Sequence, residues 1–142
     1  MSKILYSYLA GIIDGEGCIS IRKKFQYKKY SYYIPMIEVG MTVKSPIELL
    51  AKTFGNSVWY EVRHGQHKPV HKWRATGSHL IPILKKLLPY LIVKKEQALL
   101  CLELCSYIQT FKGTKKWSPK ERVRQNLIRE PLFNKMYNLN HI

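Results

Sequence analysis

The sequence predicts an α+β domain in which helix, strand, strand, helix, strand, strand and helix follow one another, with further helix beyond. Three observations predict it. Apolar residues recur at helical spacing over residues 4 to 14, the period switches to two at Gly17, and the same helix and strand-pair order repeats between residues 45 and 76.

The first element carries Ile4, Leu5, Tyr8, Leu9, Ile12 and Ile13 at helical spacing, with Ala10, Gly11 and Gly15 as small residues along it. From Gly17, Ile19 and Ile21 alternate with Ser20, Arg22 and Lys24, as in a half-buried antiparallel strand. A second strand is expected over about 31 to 42, where Ile37 and Val39 alternate with Met36 and Glu38, and residues 26 to 30 form a basic and aromatic turn. Ser45 followed by Pro46 has the form of a helix N-cap with proline at the first helical position, and Gly55 suits the C-cap. Residues 58 to 63 and 70 to 76 read as two strands around a His-rich turn, and 78 to 87 as a helix ended by Pro89. Residues 94 to 108 form a strongly apolar helix. Ser118 and Pro119 then open a last, charged helix to about Leu139.

The 142 residues fit one domain, residues 1–142, with a core over about 5–110 and a basic helical extension over about 111–142, and 46% apolar residues suffice for a real core. Against 24 Lys and Arg stand 9 Asp and Glu, a net charge of +15 that calls for a polyanionic partner, nucleic acid first. A membrane surface is disfavoured because the basic residues are spread over strands and loops instead of lining one face of an amphipathic helix. No signal peptide and no spanning apolar run is present, so a soluble, intracellular protein is expected. Three cysteines, Cys18, Cys101 and Cys105, are an odd number and argue against a disulfide framework; the last two read as small buried hydrophobes. His64, His67 and His71 flank the second hairpin turn, but no cysteine or carboxylate completes a tetrahedral metal set there.

With helices on one side of four strands, one sheet face stays free. If Ile19 and Ile21 point into the core, Ser20, Arg22, Lys24 and Gln26 share the open face, with Lys28 beyond them at the turn. Tyr32, Glu38, Arg63, Lys72 and Arg74 extend the row. Lys and Arg bind phosphates, and Arg, Lys and Gln read guanine or adenine edges in the major groove. A solvated, lysine-studded edge that resists aggregation is the plainer account of any single residue, and the net charge favours binding.

Residues 9 to 17, Leu-Ala-Gly-Ile-Ile-Asp-Gly-Glu-Gly, end an apolar helix in two carboxylates between glycines. The carbonyl end of a helix disfavours acidic side chains by about 0.3–1 kcal/mol unless a cation is their partner, so Asp14 and Glu16 point to a metal. The segment resembles the signature of the LAGLIDADG homing endonucleases, departing from the name-giving letters at Ile12, Gly15 and Glu16. The stretch Leu88-Pro89-Tyr90-Leu91-Ile92-Val93-Lys94-Lys95-Glu96-Gln97-Ala98 is similar to the segment after the second hairpin in single-motif members.

The resemblance implies an αββαββα unit with a saddle-shaped antiparallel sheet, two units packing through their signature helices. One motif then implies a homodimer contacting through Leu9, Ala10, Gly11, Ile13 and Asp14, and a palindromic or pseudo-palindromic DNA duplex as target. Ala10, Gly11 and Gly15 permit a close helix crossing. The resemblance further implies Glu16 of each subunit on a divalent cation, Mg²⁺ or Mn²⁺, with the Gly15 carbonyl as an added ligand, and Lys94 as the cation of the cleavage pocket. Asp14 matches the first acidic position, generally structural. Met41 and Thr42 stand where some relatives carry a polar residue that positions water. The implied activity is sequence-specific double-strand cleavage of DNA leaving 3′ overhangs, in the service of intron homing. Two other classes compete: an RNA maturase acting on its intron, and a DNA-binding protein that has lost cleavage. Glu16 argues against the last, since a carboxylate beside phosphates is repulsive without a metal.

Overall fold

A computed structural model describes residues 2–26, 30–62, 65, 68–110 and 119–141. Helix α1 (Ser2–Glu16) runs directly into β1 (Gly17–Gln26), which pairs with β2 (Tyr30–Met41); α2 (Lys44–Phe54), β3 (Val58–Glu61) and β4 (Val70–Thr76) repeat the pattern. A 3₁₀ turn at Gly77–His79 leads into α3 (Leu80–Leu87), a second at Leu88–Tyr90 contains Pro89, and α4 (Lys95–Thr110) and α5 (Pro119–Asn140) complete the chain. The α+β order read from the sequence is present, with α4 and α5 as the added helices.

The four strands form one antiparallel sheet in the order β1-β2-β4-β3. Register follows the alternation: Ile19 faces Ile37 and Ile21 faces Pro35 across β1 and β2, and Val39 faces Trp73 across β2 and β4. Ile19, Ile21, Ile37, Val39 and Trp73, with Leu9 and Ile13 of α1, Ile47 and Leu50 of α2, Leu80, Leu84 and Leu87 of α3, Leu104 of α4 and Met136 of α5, share one core on the helix side of the sheet. Trp73 is its largest member, and its indole N–H donates to the Gly55 carbonyl at 2.8 Å, so a big ring is buried without leaving its polar atom unpaired.

The β2–β4 ladder ends at Met36 and Thr76, whereas β1 and β2 stay paired out to Gln26 and Tyr30. The outer part of that hairpin therefore projects as a two-stranded arm, a form that is marginal alone in water. Pro35, which lacks a ladder donor, stands where β2 has lost β4 as a neighbour. Helix α5 backs the arm: Tyr33 packs on Phe133 at 5.6 Å between ring centres, and Lys23 pairs with Glu130 at 3.4 Å. The Asn140 amide donates to the Ile19 carbonyl at 3.0 Å, covering a backbone group of the edge strand β1.

Two boundaries differ from expectation. Helix α2 starts at Lys44, with extended Val43 as its N-cap, so Ser45 lies inside the helix and caps nothing. Pro46 is still tolerated because the first four N–H groups of a helix have no intrahelical acceptor, and the Lys44–Glu48 ion pair at 3.1 Å supports the added residues. Gly55 does close α2, at φ 84°, its N–H donating to Ala51. Strand β3 ends at Glu61; Arg63, His64 and His67 lie outside the described residues, as do Lys28 and Ser118.

Candidate nucleic-acid interface and metal centre

Alternation in the observed register puts Cys18, Ser20, Arg22 and Lys24 of β1 on the sheet face away from the helices, opposite Glu38, Met36, Ile34 and Tyr32 of β2. Lys72 and Arg74 of β4 join them, since Arg74 faces Glu38 and Lys72 faces Gly40. Gln26 belongs to the same alternating set of β1 by position. The sequence-derived row thus lies together, apart from Lys28 and Arg63, which are not described.

Among the described residues, Arg22 and Lys24 on that face have no partner, whereas Glu38, Lys72 and Arg74 form a charge network. Arg22 and Lys24 are exposed. Glu38 instead accepts from Arg74 through Nε at 2.7 Å and through Nη2, and from Lys72 at 3.3 Å. Lys72 also reaches Glu61 at 3.2 Å. Partial burial works against the Glu38 carboxylate, but the hydrogen bonds from Arg74 and Lys72 outweigh it and hold the group below the usual carboxylate range. The Arg74 guanidinium also lies over the Trp59 ring, 5.1 Å from its centre. Trp59, Glu61, Ile34 and Met36 are members of this face that the sequence reading missed. For Trp59 and Glu61 the signal was available only through the β3–β4 register, Trp59 opposite Lys72.

At the end of α1 the two carboxylates part company. Asp14 is engaged: Oδ2 accepts the Ile92 N–H at 2.8 Å and Oδ1 the Lys94 N–H at 3.0 Å, while the Lys94 ammonium donates to the Asp14 carbonyl at 2.6 Å. The puzzle of an acidic residue at the negative end of a helix is therefore solved for Asp14 by donors from the chain itself, and a metal is not needed to explain it. Glu16 is different. It is exposed, is the last residue of α1, and has no hydrogen-bond or ion-pair partner among the described residues.

Around Glu16 the donors are oxygens only: its carboxylate and the last α1 carbonyls, Gly15 among them, which a helix end leaves without amide partners. Among the described residues no three His, Cys, Asp or Glu side chains converge. One carboxylate and one carbonyl suit Mg²⁺ or Mn²⁺, since Mg²⁺ is held by one or two carboxylates and keeps water and phosphate oxygens for the rest of its shell. They do not suit zinc, which takes at least three protein ligands drawn mainly from Cys and His.

The outer face of α1 corrects the expected helix contacts. Leu9, Ala10 and Ile13 are 0% exposed within the single chain and belong to its own core, so they have no surface to offer a partner. Asp14 is committed to residues 92 and 94. Only Gly11 of the expected set faces outward, in a stripe with Ile4, 78% exposed, Tyr8, 50% exposed, and Gly15. A methyl built on Gly11 or Gly15 meets nothing within 4 Å. Ile92 and Val93, 85% and 69% exposed, add apolar surface at the turn that Asp14 holds. Met41 is half-buried against the core and Thr42 is exposed just past β2.

No family model and no curated protein sequence matches this chain. Solved structures do. The homing endonuclease I-CvuI in complex with its target, in the presence of 2 mM Ca, matches 97% of this chain and 83% of its own at TM-score 0.74 and 22% identity. The archaeal intron-encoded homing endonuclease I-Vdi141I complexed with DNA matches 98% and 86% at TM-score 0.76 and 16% identity. The LAGLIDADG homing endonuclease I-GzeII in complex with its DNA target matches 92% of this chain at TM-score 0.73 and 15% identity, and this chain spans 44% of that one. The chain has the LAGLIDADG homing-endonuclease fold. Here residues 9 to 17 close α1 and open β1, so the carbonyl end of α1 runs directly into the first strand of the sheet. No helix among the described residues is long and apolar enough to cross a membrane, and Cys18, Cys101 and Cys105 are free.

Proposed function

We propose that the protein is a sequence-specific homing endonuclease that cuts both strands of duplex DNA as a homodimer. The observation that carries the reading is Glu16, an exposed carboxylate at the carbonyl end of α1 with no partner among the described residues, immediately before the strand that carries Arg22 and Lys24 on the open face. A carboxylate left alone at the negative end of a helix beside a phosphate-binding surface is electrostatically costly unless a cation joins it.

Two copies would meet through the α1 stripe of Ile4, Tyr8, Gly11 and Gly15, with Ile92 and Val93 at its margin. That isologous contact brings the two Glu16 side chains to the two-fold axis and lets two copies of the open face address a long, pseudo-palindromic site. Arg22, Lys24, Lys72 and Arg74 bind phosphates and base edges there, with Ser20, Gln26, Lys28, Tyr32, Glu38 and Arg63 completing the row. Glu16 and the Gly15 carbonyl would hold Mg²⁺ or Mn²⁺, which would supply Lewis-acid stabilisation of the phosphodiester and a water of lowered pKa. Lys94 contributes positive charge to the same pocket. Cleavage of each strand by one active centre leaves 3′ overhangs.

The test uses the purified protein and DNA of its host locus without the intervening sequence. One double-strand cut is expected with Mg²⁺ or Mn²⁺, and binding without cutting with Ca²⁺. Glu16→Gln is expected to bind that DNA and leave it intact; a Glu16→Gln protein that cuts at the wild-type rate refutes the assignment.

A further inference from the structure

The reciprocal contact between Asp14 and Lys94 has no counterpart elsewhere in the described chain: one residue grips both ends of another. The Asp14 carboxylate holds the Lys94 N–H at 3.0 Å, and the Asp14 carbonyl takes the Lys94 ammonium at 2.6 Å. The second carboxylate oxygen fixes the Ile92 N–H at 2.8 Å, so the turn that carries Lys94 is pinned on either side of Val93. Both partners are half-buried.

A lysine on a flexible four-carbon stem samples many rotamers when solvated. Pinned at the backbone and at the ammonium, this one has little of that freedom left. Its charge is parked on the last turn of α1, where the helix dipole favours a cation, two residues before Glu16. A solvated lysine flanking α4 needs none of these three bonds.

We infer that Asp14 is a positioning residue for Lys94: its carboxylate and carbonyl together fix the ammonium beside the Glu16 end of α1. The inference rests on the reading of Lys94 as a cation of the cleavage pocket. It separates the two acidic residues of the signature helix by role, Glu16 facing the phosphate and Asp14 acting only through Lys94. The same turn exposes Ile92 and Val93, so the segment that Asp14 holds also borders the proposed contact between subunits.

The experiment compares Asp14→Ala, which leaves no side-chain acceptor, Asp14→Asn, which leaves one, Lys94→Met, and the two double variants. It measures single-turnover cleavage at saturating DNA, DNA affinity in Ca²⁺, and acylation of Lys94 relative to Lys95 by an amine-reactive reagent followed by mass spectrometry. Misplacing a catalytic group by about 1 Å can cost on the order of 100-fold. Asp14→Ala is therefore expected to slow cleavage by about 10- to 100-fold with affinity within about threefold. Asp14→Asn should fall between, and neither substitution should slow the Lys94→Met protein further. Lys94 should be acylated more slowly than Lys95 in the wild type and lose that protection in Asp14→Ala and Asp14→Asn. Losses that multiply in the double variants, or Lys94 acylation as fast as Lys95 in the wild type, overturn the inference. Undiminished cleavage by Lys94→Met instead removes the underlying reading of Lys94, while the acylation ratio still reports the clasp. If Asp14→Ala does not fold, Asp14→Asn and the wild-type acylation ratio carry the decision.

Discussion

Gly11→Ala should make each subunit more stable and the dimer weaker. Gly11 sits in the middle of α1, on the stripe that faces away from the core, and a methyl there meets no atom within 4 Å. Glycine inside a helix is about 0.8–1.0 kcal/mol less favourable than alanine, so folding gains roughly that amount. In an isologous crossing the same methyl enters twice. At about 1–3 kcal/mol for each overpacked methyl, the contact loses about 2–6 kcal/mol, and the dissociation constant rises roughly thirtyfold or more. Sedimentation over a range of protein concentrations measures the second effect, and urea unfolding below the dissociation constant measures the first. Gly17→Ala is the control of opposite character: its methyl would stand 2.9 Å from the Ile13 carbonyl oxygen and 3.0 Å from Ile13 Cα, backbone atoms that cannot swing aside. It should destabilise folding by about 1–3 kcal/mol. A Gly11→Ala protein that is more stable yet dimerises like the wild type refutes the α1 crossing.

Replacing Arg22 or Lys24 by alanine should lower the salt slope of DNA binding by about 1.8 if each contacts one phosphate per subunit, that is 0.9 for each of two copies. If the slope holds and specificity relaxes at one symmetric pair of positions, the contact is to a base; anisotropy titrations at several salt concentrations read both. Glu38 has its pKa lowered by Arg74 and Lys72, so its contribution to stability is present above the ordinary glutamate pKa and lost as pH falls through the depressed folded value. Glu38→Gln should therefore flatten the acid limb of stability measured by urea unfolding below about pH 4.5, and an unchanged limb would show the network to be inert. Burial pushes the Cys105 thiol up to about 11 and Cys101 further, whereas Cys18 is exposed on the open face. A thiol reagent should thus modify one cysteine in the native protein and three in urea, and bound DNA should slow the reaction at Cys18.

What could be read from the sequence was what local periodicity encodes. Ile19 and Ile21 set the β1 pleat, and the positions of Arg22 and Lys24 followed from it. The side of α1 that meets its own core could not be read, because Ile4, Leu5, Tyr8, Leu9, Ile12 and Ile13 spread over a continuous arc of about half the helix and nothing local says which edge of that arc turns inward. Leu9, Ala10 and Ile13 were thereby placed on the wrong side of the helix. The partner of Asp14 lies 78 and 80 residues away, beyond the reach of any spacing rule. Trp59 under Arg74 needed the β3–β4 register, which a four-residue strand does not announce. Ser45 followed a sound capping rule and lost to two residues, Lys44 and Ser45 itself, added at the start of α2, within the usual play of helix ends.

The hairpin arm of β1 and β2 leans on α5, and the bonds that join them span 107 residues from Lys23 to Glu130 and 121 from Ile19 to Asn140. A chain growing at about 5–20 residues per second therefore exposes the finished arm for about 5–20 s before its prop has been translated. During that interval Tyr33 and the outer edge of β1 are bare, and a stalled ribosome lengthens it. Helix α5, made about a hundred residues after the β1–β2 hairpin, thus governs when that hairpin becomes a rigid object.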